Sequence, residues 1–156
     1  MQEATEKLIA LIPDASPVDL QPLFFRFTLE TTTYLLFNKS IGALEQSDDE
    51  GIVSKEMEFA EAFTVAQDYL AQRGRLGDLY WLIGGLKFWR ACRTVHGFVD
   101  SMIKARIEAK SYDDSDYVFL DALLQKTNDV FVLRSQVLNV LLAGRDTTAC
   151  CLTWAL

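Results

Sequence analysis

The residue types best suited to chemistry are grouped near the end of the chain, in the sequence AGRDTTA at residues 143–149. Asp146 and Thr147 put an acid next to an alcohol, and both side chains exchange hydrogen bonds and protons. Gly144 is unusual in a helix, because glycine there costs about 1 kcal/mol relative to alanine. Local signals leave two interpretations open. Either a helix ends at Gly144 and Asp146 or Thr147 caps the next one, or a single helix continues with a bulge.

The apolar residues on both sides of this segment favour the continuous helix, because their helical spacing runs across it. These residues are Leu138, Leu141, Leu142, Ala149, Leu152 and Ala155. A helix that continues through the segment is expected to contain a bulge there. The opened backbone, a small residue, an acid and an alcohol would then face whatever packs against the helix. The segment is therefore predicted to lie inside a long helix that begins near Asp129.

The elements that must hold this helix in place are predicted to be helical as well. Apolar residues recur at helical spacing along most of the chain. The eight glycines and three prolines are few for a protein made of many short strands and turns. The predicted fold class is therefore mainly α. Further helices are expected at residues 3–12, 19–37, 54–72, 87–110 and 117–125, with exposed polar loops at 45–50 and 111–116.

Each of the longer helices is expected to bury one apolar face. Asp19 is predicted to cap the second helix, with Pro22 in its first turn. Ser54 is predicted to cap the third helix, and Gly74 and Gly77 are expected to break it. The expected buried faces are Leu8, Ile9 and Ile12 in the first helix; Leu23, Phe27 (or Phe24), Thr31, Tyr34 and Leu35 in the second; Phe59, Phe63, Ala66 and Leu70 in the third; and Phe88, Cys92, Val95, Val99, Met102 and Ile103 in the fourth.

Composition narrows the class of protein further. The 156 residues carry 22 acidic and 15 basic side chains, so the formal charge of −7 argues against a nucleic-acid partner. Half of the residues are hydrophobic and 24% are charged, which excludes a disordered chain. The three cysteines cannot form a disulfide framework and indicate a reduced protein. We expect neither a signal peptide nor a membrane anchor, and the apolar run at 130–143 is too short to span a bilayer.

The segment AGRDTT, late in a long apolar helix, closely resembles the oxygen-binding motif of the cytochrome P450 family, the haem-thiolate monooxygenases. The sequence DLQPLFFRFT at 19–28 looks like the helix before the substrate-roofing pair in the fungal enzymes that hydroxylate n-alkanes and fatty acids. Arginine in the variable slot of the motif also favours that group. On this resemblance the chain is an incomplete P450 domain that ends in mid-helix. Its parts are 1–53 before the roof, 54–110 as the roof helix pair, and 111–156 as a connecting helix and the central helix.

The resemblance implies a role for each residue of the motif. Ala143 and Gly144 would be the small pair over the haem and would form the oxygen-binding groove. Asp146 would be the acid that passes protons inward through water. Thr147 would hydrogen-bond the oxygen that is being activated, or its water, so that the O–O bond splits heterolytically. Such chemistry requires a proton to arrive at one atom in a site that otherwise excludes water.

The resemblance also suggests substrate contacts on two helices. Asn139 and Val140, one turn before the motif, would approach the substrate channel. Phe63 and Ala66 on the first roof helix are candidate contacts, although a phenylalanine stripe at helical spacing is also typical of an ordinary core. The substrate would be a long-chain apolar molecule, an n-alkane or a fatty acid.

The resemblance implies haem b as the cofactor of the intact enzyme, but the chain lacks the cysteine loop that would supply the iron ligand. Cys92, Cys150 and Cys151 are better explained as packing residues, and His96 as a structural or solvent-facing residue. We therefore expect no metal ligand in this chain and no turnover by the chain alone. The intact enzyme would take electrons from NADPH-cytochrome P450 reductase at the cytosolic face of the endoplasmic reticulum membrane.

The alternative classes of function are an interaction module and a hydrolase. A self-standing helical interaction module would also expose an apolar face, where a partner would dock. A hydrolase has little support, because the sequence has no Gly-x-Ser-x-Gly elbow and His96 has no plausible nucleophile partner. A coding sequence that continues into Glu-x-x-Arg and the cysteine loop would separate the enzyme from the interaction module.

Overall fold

The computed structural model describes residues 2–13, 17–44, 55–109 and 118–155. Within these ranges the regular structure is helical, which confirms the predicted mainly α class. The helices are α1 (Gln2–Ala10), α2 (Leu20–Phe37), α3 (Lys55–Leu76), α4 (Leu86–Ala109), α5 (Phe119–Leu124) and α6 (Val130–Ala155), with a 3₁₀ turn at Gly77–Leu82. The predicted loops at 45–50 and 111–116 and the predicted cap Ser54 lie outside the described residues.

Side-chain and backbone caps set the ends of the two helices that meet at the motif. The backbone N–H of Gln21 donates to Asp19 Oδ1 at 3.0 Å, which confirms Asp19 as the cap of α2. Asp129 opens α6 in the same way, because its Oδ1 accepts from the N–H of Phe131 at 2.9 Å. At the other end of α2, Asn38 adopts a left-handed conformation with φ of 53°. Asparagine tolerates that conformation better than most residues.

Helix α3 runs further than its glycines indicate. Gly74 lies inside the helix, so the predicted break at that residue is wrong. The helix ends at Leu76, directly before Gly77, whose φ of +53° favours glycine. The predicted apolar stripe is buried from Phe59 to Ala66, but Leu70 is 48% exposed. The last turns of α3 therefore leave the core before the helix ends.

Helix α2 buries a different face from the predicted one. Tyr34 and Leu35 are exposed, whereas Thr28 and Thr33 are buried. The hydroxyls of Thr28 and Thr33 each donate to the carbonyl oxygen four residues earlier, at 2.8 Å in both cases. A polar side chain whose hydrogen bond is made within its own helix can be buried at little cost. The threonines therefore occupy positions that an apolar pattern assigns to hydrophobic residues. Ile9 of α1 is likewise exposed.

Helix α6 is the central element of the fold. Helix α2 packs along α6, and α3 packs along α4, which also contacts α6. The fully buried side chains of the shared core include Leu36, Phe59, Val99, Ile103, Leu120, Leu133, Val137 and Leu141. Two ion pairs connect the helices across this core. Arg134 Nη1 of α6 lies 2.8 Å from Asp100 Oδ2 of α4, and Arg106 Nε of α4 donates to Asp121 Oδ1 of α5 at 2.6 Å.

The predicted face of α4 is confirmed in its main features. Phe88, Val95, Val99 and Ile103 are buried, and Cys92 is partly buried.

No helix in the described ranges combines the length and the hydropathy that a membrane-spanning segment needs.

Candidate functional site

The motif lies inside one uninterrupted helix. Every residue of α6 from Val130 to Ala155 is α-helical, so the alternative of a helix break at Gly144 is wrong and no π-helical turn forms the expected bulge. The hydroxyl of Thr147 donates to the backbone oxygen of Ala143, one turn earlier. The motif side chains therefore radiate from a regular helix, and their directions follow from helical spacing.

Helix α6 has two faces of opposite character. The inner face points into the bundle, and its buried residues are spaced four apart: Leu133, Val137, Leu141, Arg145 and Ala149. The open face carries side chains that the described part of the chain leaves exposed: Asn139, Ala143, Thr147, Cys150 and Trp154. The predicted stripe placed Leu142 on the buried side, but this residue is 40% exposed. The true inner face includes an arginine where the apolar pattern has a gap.

Gly144 lies where α6 makes its closest approach to α2. A Cβ at this position would sit 2.8 Å from Thr32 Oγ1 and 3.0 Å from Thr32 Cγ2. Both distances are shorter than ordinary van der Waals contact, and Thr32 is itself buried. The contact between the two helices therefore requires glycine at position 144. Ala143 lies on the open face, and the predicted role of Ala143 and Gly144 as a small pair beside bound oxygen stays a prediction.

Asp146 and Thr147 lie at the edge of the open face. The Asp146 side chain is 34% exposed, and its Oδ1 accepts a hydrogen bond from Arg145 Nη1 at 3.0 Å. Thr147 is exposed. The two residues are consecutive in α6, so their side chains point about 100° apart around the helix, and solvent reaches both in this part of the chain.

Arg145 is the residue that sequence reasoning missed, because it was assigned only to the variable slot of the motif. It is 6% exposed, and its Nη2 donates to Thr64 Oγ1 of α3 at 2.9 Å. Its guanidinium carbon lies 4.9 Å from the ring centre of Phe25 and 5.3 Å from that of Phe63. Desolvation lowers the pKa of Arg145, and the neighbouring Asp146 carboxylate opposes that shift.

A signal for Arg145 was present in the sequence. Its spacing of four residues from Leu141 and from Ala149 puts a charge in the middle of an apolar stripe. A buried charge of this kind needs a partner, since an unpaired one is costly. The identity of the distant partner, Thr64, could not be inferred from that spacing.

A groove of about 820 Å³ lies between α2 and α3 and reaches Arg145. Its wall is mostly apolar, with a few polar groups. The lining residues include Pro22, Phe25, Leu29, Met57, Ala60, Thr64 and Val65. Arg145 therefore stands between this groove and the motif residues on the far side of α6.

The candidate substrate contacts lie in different environments. Phe63 is 3% and Ala66 is 8% exposed, and the ring of Phe63 lies 5.9 Å from that of Phe59. This burial is what the alternative of an ordinary core predicts. Val140 packs partly against the core, whereas Asn139 is exposed on the open face. Substrate contact by any of the four residues stays a prediction.

The cysteines and the histidine form no metal centre in the described residues, which contain no cluster of three or more His, Cys, Asp or Glu side chains. Burial raises the pKa of the Cys92 thiol, as expected for a packing residue. Cys150 and Cys151, predicted to be packing residues and not ligands, are both exposed in the described part of the chain. Cys150 lies on the open face of α6, and Cys151 is the next residue around the helix.

The comparisons with known proteins identify the family. The family model for cytochrome P450 matches residues 1–156. A cytochrome P450 of Arthroderma benhamiae is 53% identical over 100% of this chain and 32% of its own length. Cytochrome P450 52A9 of Candida maltosa is 42% identical over 88% of this chain and 28% of its own length. The chain belongs to the cytochrome P450 family. It spans about a third of the length of these curated relatives.

The family match confirms the resemblance to fungal members and does not support a self-standing interaction module. Haem iron is the cofactor of this family. The open face fits the approach of a haem, because Ala143 is small and Ala143 and Thr147 are both uncovered.

Proposed function

We propose that the intact protein is a monooxygenase that inserts one oxygen atom of O₂ into a C–H bond of a long-chain apolar substrate. In the balanced reaction R–H, O₂, two electrons and two protons give R–OH and water. Bound haem would supply the redox chemistry at the oxygen. One observation carries the proposal: Asp146 and Thr147 are consecutive residues of α6, and solvent reaches both side chains in the described part of the chain.

Asp146 would act as the proton carrier. A carboxylate that is one-third exposed can exchange protons with solvent while a fixed partner, Arg145, holds one of its oxygens. A general acid or base of this kind contributes about 10²-fold to 10⁴-fold in rate. Because Asp146 lies at the edge of the open face, it could pass protons to the site while bulk water stays excluded from it.

Thr147 would position a proton donor next to the oxygen atom that is being activated. Its hydroxyl hydrogen is directed at the backbone oxygen of Ala143. The oxygen of the hydroxyl therefore keeps lone pairs with which it can accept a hydrogen bond from a donor on the open face. In this orientation Thr147 can accept a hydrogen bond from a group that carries a proton and can hold that group in position.

The substrate, the electron donor and the location of the intact enzyme belong to the same proposal. The resemblance to fungal hydroxylases of n-alkanes and fatty acids supports a long apolar substrate. Similarity to cytochrome P450 52A9 and 52A10 of Candida maltosa supports the same group. By the same resemblance, NADPH-cytochrome P450 reductase at the cytosolic face of the endoplasmic reticulum would supply the electrons.

The test replaces Thr147 in a full-length haem protein that carries this chain. Thr147→Ala should lower the product formed per NADPH consumed by about tenfold, with hydrogen peroxide released instead, since the hydroxyl that holds the proton is lost. Thr147→Ser should keep most of the product yield. Thr148→Ala is the matched control, because that neighbouring threonine is also exposed. Wild-type yield from Thr147→Ala would refute the proposed role.

A further inference from the structure

The buried arginine of the motif has contacts on two helices, and its position suggests a task beyond packing. We propose that Arg145 is a positioning residue that couples helix α3 to the carboxylate of Asp146. The inference rests on the proposed function in one respect, namely that Asp146 carries a proton. It adds a dependence of that carboxylate on the placement of a helix that precedes it by more than 60 residues.

The geometry of the guanidinium supports this coupling. Nη1 donates to Asp146 Oδ1 at 3.0 Å, and Nη2 donates to Thr64 Oγ1 at 2.9 Å. Thr64 in turn donates its hydroxyl hydrogen to the backbone oxygen of Ala60 at 3.1 Å. Its oxygen is therefore directed by α3 itself and can only accept from Arg145. A series of hydrogen bonds therefore runs from the α3 backbone through Thr64 and Arg145 to Asp146. The Thr64 hydroxyl in this series is held in one orientation by its own bond to Ala60.

Two aromatic rings restrict the plane of the guanidinium. Phe25 of α2 and Phe63 of α3 lie 4.9 Å and 5.3 Å from its central carbon. Contacts of this kind are attractive for a cation and are stronger when water is excluded. A planar guanidinium held in this way can donate hydrogen bonds in two fixed directions at once. A lysine ammonium at the end of a flexible side chain cannot do so.

The buried charge is also compensated from both helices. Desolvation lowers the pKa of Arg145, whereas the charges of Asp146 on α6 and Asp68 on α3 raise it. A buried arginine keeps its proton and is retained only where partners offset the loss of water. The charges that favour protonated Arg145 therefore come from α6 and from α3.

The groove between α2 and α3 gives this coupling a physical route. Arg145 and Thr64 both line it, so the hydrogen bond between α6 and α3 lies at the wall of a groove of about 820 Å³. A movement of α3 displaces Thr64, and the guanidinium that bonds both Thr64 and Asp146 must follow or release one of them. Since α3 is the predicted roof over the substrate, closure of the roof and the supply of protons would be linked.

The test uses Arg145→Gln, Arg145→Lys and Thr64→Val in a full-length haem protein that carries this chain. Three quantities are measured: product per NADPH, the solvent deuterium isotope effect on product formation, and product formation driven by hydrogen peroxide, which brings its own protons. Arg145→Gln should lower the first several-fold, raise the second and leave the third unchanged. Arg145→Lys and Thr64→Val should shift the first two in the same direction by smaller amounts.

Arg134→Gln is the matched control, because it removes an ion pair that joins α6 to α4 and involves no residue of the motif. It should leave product per NADPH and the isotope effect at their wild-type values. An equal loss of NADPH-driven and peroxide-driven product in Arg145→Gln would show a structural role only and would overturn the coupling. If that variant fails to bind haem, Thr64→Val alone decides, since it removes one bond at an exposed residue.

Asp146→Asn separates the two proposals. If Asp146→Asn lowers product per NADPH but Arg145→Gln and Thr64→Val do not, the coupling is wrong and the proposed role of Asp146 stands. If Asp146→Asn itself keeps the wild-type yield, the proton-carrying role is wrong and the coupling falls with it.

Discussion

The inner and open faces of α6 differ in what limits their sequence. The inner face has its partners within the described chain: Leu141 is fully buried, Gly144 beside it faces Thr32 of α2, and Arg145 donates to Thr64 of α3. The open face has few partners there, and Ala143 and Thr147 are uncovered. Packing within the described chain therefore explains the residues of one face and does not explain those of the other. The motif places both kinds of constraint within two helical turns.

The largest difference between the faces should be seen in the pair Leu141→Ala and Asn139→Ala. Leu141→Ala removes a fully buried side chain and should cost about 2–5 kcal/mol in stability. Asn139→Ala lies on the open face and should change stability by no more than about 0.5 kcal/mol. The thermal midpoint of the haem protein measures the first effect. The second variant should instead weaken the substrate-induced change in the haem absorption spectrum. Equal midpoint losses would remove the distinction between the faces.

A smaller loss is expected from Gly144→Ala, which tests the contact between α6 and α2. The added methyl group would meet Thr32 Oγ1 at 2.8 Å, so overpacking should cost about 1–3 kcal/mol, of which the better helix propensity of alanine offsets about 1 kcal/mol. Thr32→Ala removes the two nearest atoms and leaves Thr32 Cβ at an ordinary 3.5 Å. The double variant should therefore recover much of the loss in the thermal midpoint, as a double-mutant cycle would show. Additive losses would mean that Thr32 is not the obstacle.

The smallest expected effect concerns His96 of α4, near the Arg134–Asp100 pair that ties α4 to α6. Burial and the charge of Arg134 lower the pKa of His96 below 6.5, and Asp100 opposes the shift. The unfolded chain then binds more protons than the folded one, so this contribution to stability is present above pH 6.5 and is lost as the pH falls below it. His96→Gln should flatten the dependence by no more than about 0.5 kcal/mol. Unfolding midpoints between pH 5 and pH 7 measure it, and an unchanged slope would refute the assignment.

The sequence predicts the fold best where charged and apolar residues alternate clearly. In α4 the apolar stripe through Val95, Val99 and Ile103 is predicted and observed, because charged side chains mark the opposite face. In α2 the pattern fails, because Thr28 and Thr33 satisfy their own hydroxyls and can be buried. In α2 the burial of these threonines depends on hydrogen bonds, and a hydropathy pattern contains no information about them.

The candidate site shows the same division. The adjacency of Asp146 and Thr147 follows from their sequence positions once the helix is continuous. The partner of Arg145, Thr64, lies 81 residues earlier on another helix, and no local pattern connects the two. The reason for Gly144 is also tertiary, since it depends on the approach of Thr32. Local spacing gives the order of the side chains around α6, whereas long-range packing decides which of them are enclosed.

The contact between Gly144 and Thr32 has a consequence for the angular setting of α6. A slide of one turn along the helix axis, about 5.4 Å, would bring Val140 or Thr148 opposite Thr32. Both residues carry the Cβ that this contact excludes, and both are branched at it. Helix α6 therefore has one register against α2, and that register fixes the direction in which Thr147 points. The direction of the exposed Thr147 hydroxyl therefore depends on the absence of a side chain at Gly144, where α6 contacts α2.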